Sequence, residues 1–353
     1  MNLLLRHADL ITRCRNRAGI EVGVVTAVGE LLGARHTALY KIFMPPGDVL
    51  VGLSVEIGAG DPVAVTHDDG FSWPEQTGSI ENHPELQACF GNDAPCIERL
   101  PDGDTRLIML LRTEHREAYG FLVLHLAAPP SLEETDILNG FAALLKNLLA
   151  MLDYSETDTL TRLLNRKTFD EYLINILASI PNQDDDNLGT RHLPQRRHPG
   201  PEARDHWLGV MDIDHFKSIN DRFGHLIGDE VLILLANLMR DCFRVQDKLF
   251  RFGGEEFVAL LRPAEFAHAR ATFERFRTRV EAYAFPQVGH VTVSIGFTRI
   301  KLGDTPSAIL DSADEALYWA KEHGRNQCHA YETLIAEGKL SRHAPPPSDI
   351  ELF

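Results

Sequence analysis

Two adjacent glutamates follow two glycines in the stretch Lys248–Leu261, KLFRFGGEEFVALL. Apolar runs on both sides of a glycine-bearing centre predict a β-hairpin. Gly253 and Gly254 can adopt positive φ without steric cost, so the turn can be tight and a ligand can approach its backbone. Glu255 and Glu256 then lie at the tip, where two neighbouring negative charges favour a bound cation. An isolated GGEE also fits a solvated acidic turn.

A second acidic pair, Asp212 and Asp214, ends the apolar run WLGVMDID, which predicts a buried strand. Residues two apart in a strand point to the same face. A carboxylate near the end of a buried strand is costly unless it is paired or metal-bound, so Asp212 is a candidate functional group. Asp214 precedes HFKSINDRFGH, a predicted short helix, and we interpret it as the N-cap of that helix.

Further elements must position these acids in the C-terminal half. DEVLILLANLMRDCF predicts a helix starting at Asp229, another helix is predicted around 267–283, and HVTVSIGFTRI predicts a strand. The last predicted helix, SADEALYWAKEHGRN, carries Lys321 and Arg325 one turn apart on one face. Residues 181–206 are rich in Pro, Gly, Asp, Arg and His, and we interpret them as a flexible surface insertion.

The whole chain is long enough for two domains at 353 residues, and its net charge of −16 argues against general nucleic-acid binding. Its five cysteines form no CxxC pair, which is typical of reduced thiols in a cytoplasmic protein. The initial MNLLL is too short for a signal peptide, and no apolar run approaches the ~18 residues that span a bilayer. We therefore expect no membrane span.

The N-terminal half predicts a helix over residues 1–30, then strands at TALYKIFM, GDVLVGLSVEIG and DPVAVTH. A loop-rich middle, 69–101, precedes two strong strands, TRLIMLLRTE and AYGFLVLHLA. This order resembles a GAF-type sensory domain over about residues 15–150, with PAS-type domains as the alternative. Such a domain implies an unknown small ligand or signal. Five residues of this half are candidate ligands but form no recognisable metal-binding pattern, so we interpret them as ordinary core or loop residues. They are His67, Trp73, His83, Cys89 and Cys96.

A connecting helix is predicted over 131–157, where Ser131 and Glu134 form a capping box. Apolar residues then recur at spacings of three and four, which is typical of a coiled-coil seam and favours a parallel homodimer. The alternative is an amphipathic helix that lies on its own domain. The seam residues are Leu138, Phe141, Leu145, Leu148 and Leu152.

Five motifs together resemble the GGDEF family of diguanylate cyclases over about residues 155–330: DTLTRLLNR, MDIDHFKSINDRFGHLIGDE, RFGGEEF, VTVSIGF and ADEALYWAKEHGRN. The two resemblances together imply an α/β (α+β) chain in which a GAF-like sheet with helices (1–150) precedes a palm domain similar to adenylate cyclases (155–330). Residues 331–353 are then a C-terminal tail. The signature reads GGEEF here, Arg162 stands where glycine is common, and the 181–206 insertion departs from the usual compact connection.

The family converts two GTP into cyclic di-GMP and two pyrophosphates, each 3′-hydroxyl attacking the α-phosphate of the other nucleotide. The resemblance implies Mg²⁺ (or Mn²⁺) held by Asp212, the Ile213 carbonyl and Glu255, and oxygen ligands suit such hard cations. Glu255 is also the candidate acceptor of the 3′-hydroxyl proton. Glu256 would support the metal or the turn.

Substrate contacts follow from the same motifs. Lys321 and Arg325 match the family's phosphate contacts, and Lys217 with the backbone N–H groups of His215 and Phe216 lies where the outer phosphates would sit. Two further positions carry groups able to pair with guanine N1–H, the exocyclic amine and O6, which favours GTP over ATP. These guanine contacts are Asn220 and Asp229.

Arg244 and Asp247 form an RxxD pattern, and five residues separate Asp247 from Gly253, which is the family's spacing for an inhibitory site that binds product. Arg275 matches a secondary arginine of that site. The sequence thus predicts a cytoplasmic, homodimeric diguanylate cyclase regulated by its N-terminal domain. The alternatives are a catalytically silent cyclic di-GMP receptor and another nucleotide cyclase or polymerase-like enzyme. The retained acids argue against the first alternative, and the guanine pair with RxxD argues against the second.

Overall fold

The computed structural model describes residues 3–341 apart from 46, 59, 62–63, 67–76, 93, 115, 180–204 and 245. His67, Trp73 and nearly all of the 181–206 insertion therefore lie outside the described residues. The chain divides into two compact units, 1–155 and 156–353. Asp205 and His206, which the insertion was expected to include, already belong to a strand.

Unit 1 contains four described helices and seven described strands, which here follow in chain order. They are α1 Leu3–Thr12, α2 Arg17–Leu31, β1 His36–Phe43, β2 Leu50–Gly58, β3 Val65–Thr66, β4 Gly78–Ser79, α3 Pro84–Cys89, β5 Cys96–Arg99, β6 Thr105–Arg112, β7 Ala118–Leu126 and α4 Leu132–Glu156. The single helix expected over 1–30 is interrupted, because Asn16 caps α2 by accepting the Gly19 N–H at 2.8 Å.

The strands of unit 1 form an antiparallel sheet in the order β3-β2-β1-β7-β6-β5, with β4 paired to β2. Helices α2 and α4 cover one face, where Val24 and Val28 share a core with Leu138 and Leu145. On the other face, Leu86 and Cys89 of α3 share a core with Ile108 and Phe121. Unit 1 is therefore a mixed unit of helix and sheet.

The capping box at the start of α4 is confirmed. The Ser131 N–H donates to Glu134 Oε2 at 2.7 Å, and the Glu134 N–H donates to Ser131 Oγ at 3.3 Å. The hydrogen bond from the Ser131 backbone lowers the pKa of Glu134. These reciprocal bonds satisfy two N–H groups that a helix start leaves without partners, so α4 begins where the sequence predicted.

The seam assigned to α4 was wrong. Leu138, Phe141 and Leu145 are 0%, 4% and 2% exposed because they pack into the core of unit 1 itself, and Leu148 and Leu152 pack partly against that core. The alternative, an amphipathic helix lying on its own domain, is the correct one. Among the described helices, α4 alone has the length and apolar composition that crossing a membrane would require.

We expect Leu145→Glu to destabilise unit 1 rather than to dissociate a dimer. The substitution buries an unpaired carboxylate in an apolar core, which costs at least about 3 kcal/mol. Met151→Glu is the matched control, because Met151 lies on the same helix with 69% of its surface exposed. Thermal unfolding followed by circular dichroism should show that Leu145→Glu lowers the midpoint temperature of unit 1 by about 6–12 °C. An unchanged transition in Leu145→Glu would contradict the assigned packing.

Unit 2 contains six described helices and eight described strands. They are β8 Leu164–Asn165, α5 Arg166–Ser179, β9 Asp205–Ile213, α6 Phe216–Phe223, α7 His225–Cys242, β10 Lys248–Gly253, β11 Glu256–Ala264, α8 Phe266–Ala282, β12 Ala284–Phe285, β13 Gly289–His290, β14 Val293–Arg299, α9 Pro306–Glu322, β15 Cys328–Ala330 and α10 Tyr331–Ala336. The segment expected as a tail from residue 331 thus begins with a helix.

A six-stranded sheet, β15-β14-β9-β11-β10-β8, forms the centre of unit 2. One face packs on α7 and α8 through residues such as Leu235 and Phe273. The other face packs on α5 and α9 through residues such as Phe169 and Leu317. Strand β9 lies between β14 and β11, so the acids at its end are central in the sheet.

Two predicted helix bounds in unit 2 need correction. Helix α7 begins at His225 rather than Asp229, directly after Gly224, which has a φ of 86°. Helix α9 begins at Pro306, capped by the Thr305 hydroxyl accepting the Ala308 N–H at 3.3 Å, and it ends at Glu322. Arg325 therefore lies beyond α9, and its place on one helical face with Lys321 was wrong.

Candidate active site

Asp212 lies near the end of β9, directly opposite Glu256 of β11 on one side and Ser294 of β14 on the other. Its side chain is buried, and Lys321 Nζ from α9 lies 2.9 Å from Asp212 Oδ1. The sequence identified both residues, and the fold brings them together because α9 packs across the sheet from β14 to β9. The ion pair compensates part of the cost of burying the carboxylate.

Negative charge exceeds positive charge at this point of the fold. Burial raises the pKa of Asp212; Lys321 opposes that shift, whereas Glu256 and Asp214 add to it. Burial also raises the pKa of Glu255, and the neighbouring Asp212 adds to the rise. Both shifts mean that the ionised carboxylates lack full compensation, so the cluster favours a cation.

The ligand chemistry of the cluster fits a hard divalent cation such as Mg²⁺. All its donors are oxygens, and Mg²⁺ is usually held by one or two carboxylates together with water and substrate phosphates. Within the described part of the chain, no three His, Cys, Asp or Glu side chains are arranged to hold a metal. The cluster therefore offers the carboxylates of Asp212 and Glu255, and further ligands of a metal here would have to be backbone, water or substrate oxygens.

The predicted hairpin is confirmed as β10 and β11, with Gly253 opposite Glu256. Gly253 and Gly254 have φ values of 142° and 54°, which side chains bearing a Cβ rarely adopt. Glu255 is half-buried at this turn, and Glu256 is exposed. The glycines thus allow the backbone to present the two carboxylates.

Sequence reasoning missed the ion pair that supports the hairpin. Arg251 of β10 donates through Nη2 to the Gly254 carbonyl at 2.8 Å and through Nη1 to Asp158 Oδ1 at 3.0 Å. The same Asp158 oxygen accepts the Thr161 N–H and hydroxyl at 2.8 and 2.7 Å. An arginine two residues before the GGEE turn was the available signal. The first motif of unit 2 thereby fixes the tip that carries Glu255.

Asp214 is not the N-cap of α6, because His215 occupies that position with a φ of 59°. The Asp214 carboxylate instead accepts the Thr292 and Ser294 hydroxyls, each at 2.7 Å, and the Asn326 N–H at 2.9 Å. The side chain is buried among strands rather than turned toward the helix start. Its partners lie about 80 and 112 positions away along the chain, so local sequence could not reveal them.

The turn His215–Lys217 offers a helix N-terminus beside the acids. The Phe216 side chain is buried in the core, so only its backbone N–H is available to a ligand. Lys217 is exposed one position further on. The first N–H groups of a helix lack intrahelical partners and favour anions.

Asn220 of α6 contacts Gly228 of α7, the residue directly before Asp229. A Cβ added to Gly228 would lie 1.9 Å from Asn220 Oδ1, so the Asn220 amide packs directly against that glycine. Asp229 is exposed next to Gly228 and stands inside α7 rather than at its start. The absence of a Cβ at Gly228 leaves room for the amide, a requirement that sequence reasoning missed.

The three residues assigned to a product site lie at the end of α7. Asp247 is buried, and its two oxygens accept the backbone N–H groups of Arg244 and Arg262 at 3.0 and 3.2 Å. Arg275 of α8 donates to the Cys242 carbonyl at 2.6 Å. Arg244 is exposed. In this structure Asp247 stabilises a turn, and Arg244 carries the accessible charge.

Residues 192–327 match the family described as "Diguanylate cyclase, GGDEF domain". Unit 2 therefore contains a GGDEF diguanylate cyclase domain.

Diguanylate cyclase DgcP of Pseudomonas aeruginosa is 39% identical over 174 residues, which are 48% of this chain and 23% of the relative. Diguanylate cyclase A of Treponema denticola is 31% identical over 219 residues, 59% of this chain and 55% of the relative. The chain thus spans from about a quarter to about half of these curated relatives. A solved structure of the coiled coil and GGDEF domain of DgcB from Caulobacter crescentus, in complex with c-di-GMP, is 27% identical. The match covers 56% of this chain and 97% of the DgcB chain, with a TM-score of 0.46.

Proposed function

We propose that the protein is an active diguanylate cyclase that joins two GTP molecules into cyclic di-GMP and releases two pyrophosphates. The observation that carries the proposal is the buried Asp212 at the end of β9, which forms an ion pair with Lys321. The pKa values of Asp212 and of the neighbouring Glu255 are both raised. This arrangement supplies a cation-binding cluster and a phosphate-binding cation at one point. Phosphoryl chemistry requires both.

Asp212, the Ile213 carbonyl and Glu255 are the proposed ligands of Mg²⁺ or Mn²⁺. When bound, the ion would activate the attacking oxygen and neutralise charge on the leaving pyrophosphate. Glu256, exposed opposite Asp212, adds negative charge to the cluster. Its proposed role is support of the metal or of the turn.

Glu255 is the proposed acceptor of the 3′-hydroxyl proton. Burial raises the pKa of Glu255, which makes the carboxylate a stronger base than an exposed glutamate. The positive φ at both preceding glycines and the Arg251 contact to the Gly254 carbonyl restrict where this side chain can lie. General base catalysis requires such a base to be held within hydrogen-bond reach of the hydroxyl that it deprotonates.

The remaining charged groups are proposed to hold GTP. Lys321 and Arg325 would contact phosphates, together with Lys217 and the N–H groups at the start of α6, which begins after His215. Asn220 and Asp229 would pair with the guanine edge. Adenine lacks the N1–H that a carboxylate can accept, so this pair favours GTP.

A catalytically silent cyclic di-GMP receptor is the second candidate. Such a receptor would bind cyclic di-GMP without converting GTP, so ligand binding alone does not separate the two candidates. The retained Asp212, Glu255 and Lys321 favour an enzyme, because a receptor without turnover does not need a buried acid paired beside a half-buried one.

Incubation of the purified chain with GTP or with ATP, each with Mg²⁺, separates these candidates. Product identification by mass spectrometry should show cyclic di-GMP from GTP and no cyclic dinucleotide from ATP. Binding of cyclic di-GMP without any product from GTP would favour the receptor. A cyclic adenine nucleotide would favour another cyclase.

Unit 1 is proposed to be a GAF-like sensory domain that regulates unit 2 in response to a small ligand. The proposed setting is cytoplasmic, and the proposed active species is a homodimer, because each copy of unit 2 carries one set of GTP-binding residues. Two sets must meet for each 3′-hydroxyl to reach the other α-phosphate. The α4 residues buried within unit 1 are not part of this proposed contact.

Product feedback is proposed at Arg244, with Asp247 shaping the turn and Arg275 nearby. We expect Arg244→Ala to weaken cyclic di-GMP binding by roughly tenfold to over a hundredfold, because a charge-assisted pair contributes roughly 1.5–3 kcal/mol. Progress curves should then continue beyond the product level at which the wild type stops. The initial rate should change little.

Arg270→Ala is the control for this prediction, since Arg270 is another exposed arginine on α8. Calorimetric titration with cyclic di-GMP should show wild-type affinity in this control. If Arg244→Ala stalls at the wild-type product concentration, or if the wild type shows no product inhibition, the feedback proposal fails.

A further inference from the structure

The turn after α9 has an unusual backbone. Gly324, Arg325 and Asn326 have successive φ values of 116°, 61° and 47°. Arg325 and Asn326 carry a Cβ, for which this left-handed region is unfavourable. Consecutive residues remain in such a conformation only where surrounding contacts hold them there.

Main-chain contacts fix this turn on both sides of Arg325. The Arg325 N–H donates to the Ala320 carbonyl at 2.9 Å, which ties the turn to the end of α9. The next N–H, from Asn326, donates to Asp214 Oδ2 at 2.9 Å. The backbone of Arg325 is therefore held between α9 and the end of β9.

Side-chain contacts hold the same turn from α8. Arg277 Nη1 donates to Asn326 Oδ1 at 2.7 Å, and Asn326 Nδ2 donates to Glu281 Oε1 at 2.8 Å. Arg277 is itself fixed by Glu274 at 2.6 Å and Glu281 at 2.9 Å. The Asn326 amide thus has both of its ends paired by one helix.

Asp214 connects this turn to the sheet. Its carboxylate is 5% exposed and also accepts the Thr292 and Ser294 hydroxyls, while its own N–H donates to the Thr292 carbonyl at 2.9 Å. A buried carboxylate with three donors is rigid, and leaving those donors unpaired would be costly. The residue next to the left-handed Arg325 is thereby fixed relative to the strand that carries Asp212.

We propose that Asp214 and Arg277 are positioning residues that hold the Gly324–Asn326 turn so that Arg325 points to the phosphates of a nucleoside triphosphate bound beside Lys321. This inference rests on the proposed function for the identity of the ligand, GTP. Neither residue touches the nucleotide. Asp214 acts through the backbone N–H of Asn326, and Arg277 acts through its side-chain amide. Together they fix the position of the Arg325 backbone.

The first test compares Asp214→Ala with Asp214→Asn and Ser294→Ala. Asp214→Ala should raise the KM for GTP by about tenfold or more, with a smaller change in kcat, because a phosphate contact is lost. Asp214→Asn keeps an oxygen for the Asn326 N–H and should recover most of the affinity. Ser294→Ala removes one donor to Asp214 but leaves the turn contact, and should change KM less than about threefold.

The decisive comparison repeats Asp214→Ala in an Arg325→Ala background. If Asp214 acts through Arg325, the second substitution should leave the KM of Arg325→Ala unchanged. A further rise equal to that in the wild-type background would overturn the proposal. So would an Asp214→Ala enzyme whose KM matches that of Ser294→Ala.

Arg277→Met provides a second route to the same turn, with the exposed Arg279→Met as its control. Arg277→Met should raise the KM for GTP in the wild-type background but not in the Arg325→Ala background. Hydrogen exchange of the backbone amides within 323–327 should become faster. If Asp214→Ala does not fold and Arg277→Met leaves KM and exchange unchanged, the proposal is wrong. A wild type that binds GTP without turnover refutes the cyclase proposal only. The variants are then compared by their calorimetric affinity for GTP instead of by KM. A wild type that does not bind GTP refutes both.

Discussion

Glu255→Gln should lower the rate of cyclic di-GMP formation by about a thousandfold or more while leaving unit 2 folded. The glutamine keeps the size of the side chain but removes the charge of a proposed metal ligand and the proposed proton acceptor together. Glu255 is half-buried at a turn tip, so the change opens no cavity in the core. Initial rates at saturating GTP and Mg²⁺ measure the effect.

Glu171→Gln, on the exposed surface of α5, is the control for charge alone and should retain the wild-type rate. Circular dichroism of both variants should show wild-type unfolding of unit 2. Wild-type turnover by Glu255→Gln would remove Glu255 from the chemistry and would leave the cluster around Asp212 without a base.

Gly296→Ala should destabilise unit 2 by about 2–3 kcal/mol. A Cβ on Gly296 would lie 2.1 Å from the Leu317 nitrogen and 2.2 Å from the Ala313 carbonyl oxygen. These are main-chain atoms of α9, so the helix itself would have to move. Because α9 carries Lys321, the displacement should also lengthen the contact to Asp212 and lower kcat/KM.

Gly140→Ala is the control, since a Cβ at that helical position meets no atom within 4 Å. It should leave stability unchanged or raise it by up to about 1 kcal/mol. Denaturant unfolding followed by tryptophan fluorescence measures both variants. If Gly296→Ala unfolds at the wild-type midpoint, the main chain of α9 does not lie within contact distance of Gly296.

The hairpin and the strand-end acid were predictable because each depends on neighbours in the sequence. Two glycines permit the turn around Glu255, and a run of apolar residues before Asp212 identifies a buried strand. The capping box at Ser131 is local in the same sense. Patterns of this kind depend on backbone and burial preferences within a few residues.

The errors arose where distant contacts override local preference. Asp214 stands where an N-cap would, but hydroxyls of Thr292 and Ser294 and the Asn326 N–H take its carboxylate. The seam at Leu145 has the spacing of a coiled coil, yet an apolar stripe at that spacing packs equally well on a sheet of its own unit.

The end of α9 shows the same limitation. AKEHGRN continues a helical pattern through His323, but Gly324 leaves the helical conformation and the Arg325 N–H returns to the Ala320 carbonyl. A glycine near a helix end is a common stop signal. Gly324 thus indicates that the helix ends before Arg325, which lies on the turn that follows.

Cyclase activity is tested by measuring GTP consumed, pyrophosphate released and cyclic di-GMP formed in one reaction, with Glu255→Gln as the blank. A cyclase should consume two GTP and release two pyrophosphates for each cyclic di-GMP, and the blank should form almost none. GTP hydrolysed to GDP and phosphate, or bound without consumption, would contradict the proposed function.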